Sequence, residues 1–352
     1  NLVNNNGGVI RKGQVWKPGN GNYFSVVIKM KEDADNDYQG ANVTFDVVLR
    51  AKQAAVEEDG FGSSDYDANA TYSVTSQEEM QDAIDRAEDG AIIALANDLT
   101  VDDSVVFQFN TAKAVTIDLS GNTITYNNPA NAGALVYARN GADVTLQNGT
   151  INMDNPYYGL LVNENSSLTV KGVTVNSGDS VIFSNGKNIN VVVEDSTLSA
   201  QYYAVYHNGS YAPANVTIRN STILSGGVYV SNSAGREKQT LTIENSTIYG
   251  PTAVEMKHTN ATIINSTLVG TVAPTGSGSN NNGGCTAGYA FAVTGNGVND
   301  LATGTVVVTD CKFFSEAITD EPNGYYFVYK LAEGSSVTID GTSVDDFNSY
   351  EN

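Results

Sequence analysis

An all-β fold is what the sequence predicts: a parallel β-helix, or solenoid, with an N-terminal capping α-helix and a small N-terminal antiparallel β appendage. Three observations carry this expectation. A phrase recurs, as "VTIRNSTILS" at 216–225, "LTIENSTIYG" at 241–250 and "ATIINSTLVG" at 261–270. The apolar residue closing each copy returns at Ile124, Ile151, Val175, Leu198, Ile223, Ile248, Leu268, Phe313 and Val344, roughly every 20 to 31 residues apart from the long step between Leu268 and Phe313. A second short apolar segment falls between these markers, as in "GLLVNENS", "YAVYHNGS" and "GVYVSNSA", so each repeat supplies two or three strands. Strands stacked about 4.8 Å apart put equivalent residues of successive coils on top of one another, which makes the period structural. A leucine-rich repeat would need L-x-x-L-x-L-x-x-N, which is missing, and propeller blades need roughly 40 to 50 residues.

Taken in chain order, residues 1–57 read as a β-hairpin appendage, or a truncated jelly-roll, because two β-rich runs in "YFSVVIKMKEDADNDYQGANVTFDVVLRAKQ" flank an acidic connection ending in Gly. Residues 58–75 have the Gly, Ser and Asp content of a linker. The β-helix with its cap then spans 76–352. Its helix, expected over 77–88, has a capping box in Ser76 and Glu79, a helically spaced apolar face in Met80, Ala83, Ile84 and Ala87, and a stop at Gly90. From Ala91 onward the pattern is short β runs separated by Gly, Asn and Asp. The long step before Phe313 holds "PTGSGSNNNGGCTAG", whose composition favours an exposed loop.

Within "VTIRNSTI", Val216 and Ile218 point inward by alternation and Asn220 stands where the chain turns into the next strand. Asn148, Asp195, Asn245, Asn265 and Asp310 occupy the same place. Asn and Asp tolerate tight turn backbones, and stacked amides can bond from coil to coil, so these six form an expected ladder. N-x-[ST] triplets at Asn220, Asn245 and Asn265 match glycosylation acceptors, but the ladder accounts for them, and inward side chains would be closed to modification.

With these features the chain resembles the right-handed parallel β-helix proteins of the pectate-lyase-like superfamily, over about residues 91–352. The resemblance implies the fold and its hand; a fold does not carry function with it. Separately, "DNDYQGANVTFDVVLRAKQ" is similar to the closing segment of camelysin and TasA-type matrix proteins, where YQG precedes a final strand ending in A-x-Q. That likeness covers about residues 9–53, and the rest of such a jelly-roll is missing. It implies a trimmed piece of a larger exported Gram-positive surface protein; homotypic assembly through the appendage is a further expectation about partners.

Composition narrows the partners. With 18 Lys+Arg against 39 Asp+Glu the formal charge is -21, which repels phosphate backbones and anionic bilayers, so nucleic acid is not an expected partner. No stretch approaches eighteen consecutive apolar residues, and "NLVNNNGGVI" lacks the regions of a signal peptide; membrane insertion is not expected, and the chain reads as soluble or as a processed fragment. Abundant Gly, Asn, Ser and Thr with few Lys fits an extracellular or cell-surface location. Two cysteines are too few for a disulfide framework. Cys311 replaces the small turn residue seen as Ser246 and Ser266, while Cys285 lies in the preceding insertion, so a Cys285–Cys311 disulfide is expected in an oxidising compartment.

Two sets of residues are candidates for chemistry. Glu255, Lys257 and His258 in "VEMKHT", with His207 two coils away, could form a polar groove for a lyase or hydrolase. The family's elimination chemistry implies clustered carboxylates for calcium and an Arg base, yet the β-helix region holds only Arg139, Arg219 and Arg236, with no R-x-P-x-x-R. Hydrolysis needs paired carboxylates, and the family's N-x-D, D-D, G-H-G and R-I-K set is missing apart from the bare pairs Asp102-Asp103 and Asp345-Asp346. No metal or other cofactor is expected. Calcium is the alternative, because "DADND" at 33–37 imitates an EF-hand opening, although Thr44 stands where the bidentate Glu belongs. The second set is aromatic: Tyr157, Tyr158, Tyr202 and Tyr203 recur after the markers Ile151 and Leu198, joined by Tyr206 and Tyr229. Flat rings stack on sugar faces while their hydroxyls stay wet. The expected function is therefore a non-catalytic bacterial surface adhesin or matrix protein binding glycans or other surface polymers. A polysaccharide lyase or glycoside hydrolase and a purely structural stalk are the alternatives.

Overall fold

The computed structural model describes residues 71–102, 107–127, 133–154, 156, 158–209, 214–232, 238–272, 288–293, 304–315, 328–330 and 335–343. The chain divides into two units, Asn1–Gly60 and Phe61–Asn352. The expected appendage at 1–57 lies outside the described residues, as do Cys285, Tyr157 and the "DADND" segment.

The second unit is a parallel β-solenoid. A single coil shows the plan: Gln239–Glu244 forms a first strand, Thr247–Gly250 a second and Val254–Lys257 a third, after which Thr259–Ile264 returns to lie on Gln239–Glu244. First and second strands belong to one 19-stranded sheet, and third strands form a nine-stranded sheet, so the described third strands mark nine successive coils. Each connection within a face runs through the other faces, the parallel crossover that is right-handed in almost all proteins.

Alternation along the strands explains the core. On the first face one inward column runs Leu146, Val170, Val193, Ile218, Ile243, Ile263, Val308, Ile339, each residue paired in register with the next. All are at most 3% exposed. Each apolar side chain stacks on its neighbour one coil away, and every member contributes roughly 1.5–3 kcal/mol of burial.

α1, Gln77–Arg86, starts as expected: the Ser76 hydroxyl accepts from Glu79 N–H at 3.2 Å, and Glu79 Oε2 accepts from Thr75 N–H at 2.8 Å. It ends two residues before the expected 88. Met80, Ala83 and Ile84 are buried, and the helix packs on the strands Tyr72–Val74, Ala91–Leu95, Leu99–Asp102 and Phe107–Phe109. It thus covers the first coil. The strand Tyr72–Val74 pairs in parallel with Ile93–Leu95, so the solenoid begins within the segment expected to be linker.

The opening phrase is a turn with two ladders. Asn148, Asp195, Asn220, Asn245, Asn265 and Asp310 all adopt left-handed backbone, with φ of 59°, 50°, 50°, 49°, 46° and 53°. This conformation joins the first and second strands, and Asn and Asp enter it more readily than other non-glycine residues. Amides bond between three coils: Asn265 Nδ2 donates to Asn245 Oδ1 at 2.8 Å, and Asn245 Nδ2 donates to Asn220 Oδ1 at 3.3 Å. Asn148 also donates to the preceding coil, to Asp118 Oδ2 at 3.0 Å, and Gly172, the equivalent position one coil on, has no side chain to continue the ladder. Asp195 and Asp310 bring carboxylates, which cannot donate; the Asp310 N–H donates to Asp340 Oδ1 at 2.9 Å. Contrary to expectation, all six side chains face solvent rather than the interior.

The buried ladder is one residue further on. Ser196, Ser221, Ser246 and Ser266 are 3–4% exposed. The N–H of Ser196, Ser221 and Ser246 each donates to the serine hydroxyl one coil later, in every case at 3.1 Å. Each hydroxyl then donates to the carbonyl two residues back, at 2.7–2.8 Å. Left-handed turns expose a backbone N–H to the interior, and these hydroxyls satisfy it. Cys311 takes the next place in this ladder, its thiol bonding to Thr309 O at 3.2 Å. It is a free cysteine in this structure, and burial pushes its thiol pKa up.

Substitutions at two positions separate the ladders. Asn245→Leu is expected to cost about 1–2 kcal/mol for the left-handed backbone, while Asn245→Gly is expected to leave the melting midpoint nearly unchanged. Ser246→Ala strips the Ser221 N–H of its acceptor and is expected to cost about 1–3 kcal/mol. Denaturant unfolding of the three variants reads all three values; equal stability of Ser246→Ala and parent would remove the buried ladder from the account.

Candidate functional site

Third-face strands present an outward column that runs Gln108, Tyr137, Leu161, Phe183, Tyr206, Tyr229, Glu255, Ala292. Its middle is aromatic, and residues from the preceding turn join it. Tyr158 stacks on Phe183 at 4.0 Å between ring centroids, Phe183 meets Tyr206 edge-on at 5.0 Å, and Tyr206 lies 5.2 Å from Tyr229. Tyr203 packs on both Tyr206 and Tyr229, at 5.0 and 5.7 Å. A cation closes each end: Lys257 Nζ lies 5.6 Å from the Tyr229 ring centroid, and the Arg139 guanidinium lies 4.9 Å over Tyr137. From Tyr137 to Tyr229 is four coil steps, about 19 Å.

Four of the six tyrosines expected at a ligand site are therefore brought together, namely Tyr158, Tyr203, Tyr206 and Tyr229. They are not equally available. Tyr158, Tyr203 and Tyr206 are half-buried, whereas Tyr229 is 2% exposed. Burial raises the Tyr206 hydroxyl pKa, opposed by the Asn208 side chain, so the phenol stays neutral at physiological pH. Tyr202, in the turn between Thr197–Ala200 and Val205–Gly209, is 57% exposed and makes no ring contact with the others. Phe183 is the member that sequence reading passed over. Aligning "VIFS" with "AVYH" and "GVYV" by coil would have placed it between tyrosines.

The polar set divides. Glu255 and Lys257 lie two residues apart on the outward side, in register with Tyr229 and Ser231, and both are buried, at 2% and 3% exposed. His207 does not join them. It occupies an inward position in register with Ser184 and Val230, is fully buried, and its Nδ1 lies 2.8 Å from Ser184 Oγ. Burial lowers its pKa to about 4, opposed by the Gln239 side chain, so the imidazole is neutral. His258 sits at the corner between third and first faces with φ of 50°, is 6% exposed, and neither ring nitrogen has a hydrogen-bond partner. Among the described residues no group of three or more His, Cys, Asp or Glu could hold a metal ion. No helix among them is long and apolar enough to cross a membrane.

His207 has a consequence for acid stability. An unfolded chain takes up its proton near the ordinary imidazole pKa of about 6.5, whereas the folded chain holds this site neutral down to about 4. The unfolded state thus binds more protons between those values, so stability is full above about pH 6.5 and falls as pH drops toward 4, by up to about 3 kcal/mol. The double variant Ser184→Ala with His207→Val, which extends the valines already at 162 and 230, is expected to flatten this part of the profile. Unfolding free energy measured from pH 7 to 4 against the parent decides it; parallel profiles would count against a buried neutral His207.

No family model matches the chain, and neither does any curated protein or solved structure.

Proposed function

We propose that this protein is a non-catalytic extracellular adhesin or matrix component of a bacterial, Gram-positive cell surface, and that it binds an extended glycan or similar surface polymer along the outside of its third face. One observation carries the reading: the rings of Tyr158, Phe183, Tyr206 and Tyr229, with Tyr203 beside them, run together over three coil steps, about 14 Å, and Tyr137 under Arg139 lies one coil beyond, past Leu161. Linear polysaccharides offer flat apolar ring faces at regular intervals, and a straight series of tyrosines is complementary to that repeat. Arg139 is the half-buried cation of the two, Lys257 being buried, and in a chain of formal charge -21 it favours a polymer bearing carboxylate or sulfate groups. Homotypic assembly through the N-terminal appendage belongs to the same reading.

Hydrolysis or elimination at Glu255 is the alternative. Retaining hydrolysis needs a second carboxylate about 5–5.5 Å away, and in the column Glu255 stands between Tyr229 and Ala292. His207, inside the core, is on the wrong side of the sheet to serve it.

A glycan array, followed by a reducing-sugar and unsaturated-product assay on each ligand found, tests the proposal. Replacing Tyr158 and Tyr203 together by Ala is expected to weaken binding about five- to 150-fold, the equivalent of about 0.5–1.5 kcal/mol for each of the two rings. Tyr203→Phe should retain it. Turnover abolished by Glu255→Gln would replace the adhesin by an enzyme, and unaltered binding by the double variant would reduce the aromatic track to a structural seam.

A further inference from the structure

The outside of the first face has no part in the aromatic track, and it is more regular than the fold requires. One outward column, running from Thr116 to Thr338, holds Thr in seven of nine coils and its isostere Val in the other two, at 192 and 307. None of these residues is buried. The neighbouring outward column holds Ser, Asn or Thr in every coil from Ser167 to Ser336, with a charge only at its start, Asp143. On the second face a third column, from Thr123 to Thr267, is threonine without interruption.

Strand preference explains a β-branched residue at such places, but not the exclusion of charge. The same first-face strands do carry charges two residues further along, where Glu194 bridges Arg219 at 3.1 Å and Lys171 at 3.6 Å. An ordinary solvated surface mixes both signs of charge throughout. Here the two outer columns form a neutral strip on a chain of formal charge -21. The strip repeats every coil, about 4.8 Å, in one direction and every second residue, about 6.6 Å, in the other. Each point offers a small hydroxyl or amide, and the main column adds a methyl group. Threonine and valine are stiff about χ1, so the array is pre-ordered before it meets a partner and loses little entropy on binding.

We propose that this strip binds the surface of ice. The partner must be periodic, because the array is; uncharged, because the strip is; and rich in hydrogen-bonding oxygen rather than in ring faces, because the columns contain no aromatic residue. A crystalline polysaccharide would call for stacking rings, and the chain keeps its rings on the third face. Ordered water at an ice surface meets all three conditions, with methyl groups seated between oxygen rows and hydroxyls replacing lattice donors and acceptors. The proposal uses different residues from the glycan site and stands independently of it.

Slow freezing of a solution of the full chain tests this, with the protein assayed in the ice and in the remaining liquid, together with the growth of small ice crystals in a frozen sucrose solution. The parent is expected to concentrate in the ice and to arrest crystal growth. Thr217→Lys with Thr242→Lys, placing two long charged side chains in the main column, should abolish both effects while Tyr158→Ala with Tyr203→Ala leaves them intact. Should the double lysine variant melt earlier than the parent, Thr262→Lys, at an exposed place in the same column, is read instead. A parent excluded from ice, or lysine variants that enter it equally well, overturns the proposal. So does binding to microcrystalline cellulose or chitin that the lysine substitutions remove, which would make a polysaccharide lattice the partner.

Discussion

Everything in this solenoid depends on one backbone conformation repeated at one corner. Where the first strand of a coil passes to the second, a residue in left-handed geometry turns the chain, and in four successive coils the next residue is a serine that sends its hydroxyl inward, meeting an amide that the turn would otherwise leave bare. Asn220 and Ser221 do this for one coil, and Asn245 with Ser246, then Asn265 with Ser266, repeat it. Since the acceptor for each coil is supplied by the coil after it, the corner is built cooperatively, and strands are held in one register. A slip by a single residue would turn the inward valines and isoleucines to solvent. Coil-to-coil register therefore rests on polar groups at the corner as much as on the apolar column beside it.

That register turns a linear repeat into surfaces. Residues twenty or more positions apart become neighbours about 4.8 Å apart, so a preference held at one place in the repeat becomes a stripe along the solenoid. The three faces put this to separate uses. On the third face Phe183, Tyr206 and Tyr229, joined by Tyr158 and Tyr203 from the preceding turns, make an aromatic track. On the first, the same geometry makes a neutral strip of small hydroxyl and amide side chains beside a charged column. Asparagine at the corner makes an exposed ladder whose amides bond to each other, as Asn265, Asn245 and Asn220 do. Glycine enters where a coil must pass closely over another: a Cβ on Gly227 would lie 2.5 Å from Thr252 O.

Buried polar groups mark departures from the repeat. His207 and Ser184 occupy inward places that neighbouring coils fill with valine, and the Ser184 hydroxyl meets His207 Nδ1 across adjacent coils. His258 takes a left-handed corner position that asparagine holds at Asn165 and Asn188, without the coil-to-coil amide bond that joins those two at 2.9 Å. Such substitutions weaken the local repeat. Ser184 and His207 directly follow Phe183 and Tyr206 in the strands that carry the aromatic track.

The amino-acid sequence alone determined the solenoid, its period, the capping helix at Ser76 and the six turn residues. These are legible because they are local and repeated: alternation, a capping box and a recurring N-S-T each leave their mark within a few residues. It was silent about which residues meet across coils. Phe183 completes the aromatic track, Tyr202 stands apart from Tyr203, and His207 faces the core instead of Glu255, because each depends on the alignment of strands more than twenty residues apart. The direction of the turn asparagines was decided the same way. A left-handed residue sends its side chain outward and the following serine inward, and only the closed coil, with inside and outside defined, distinguishes the two.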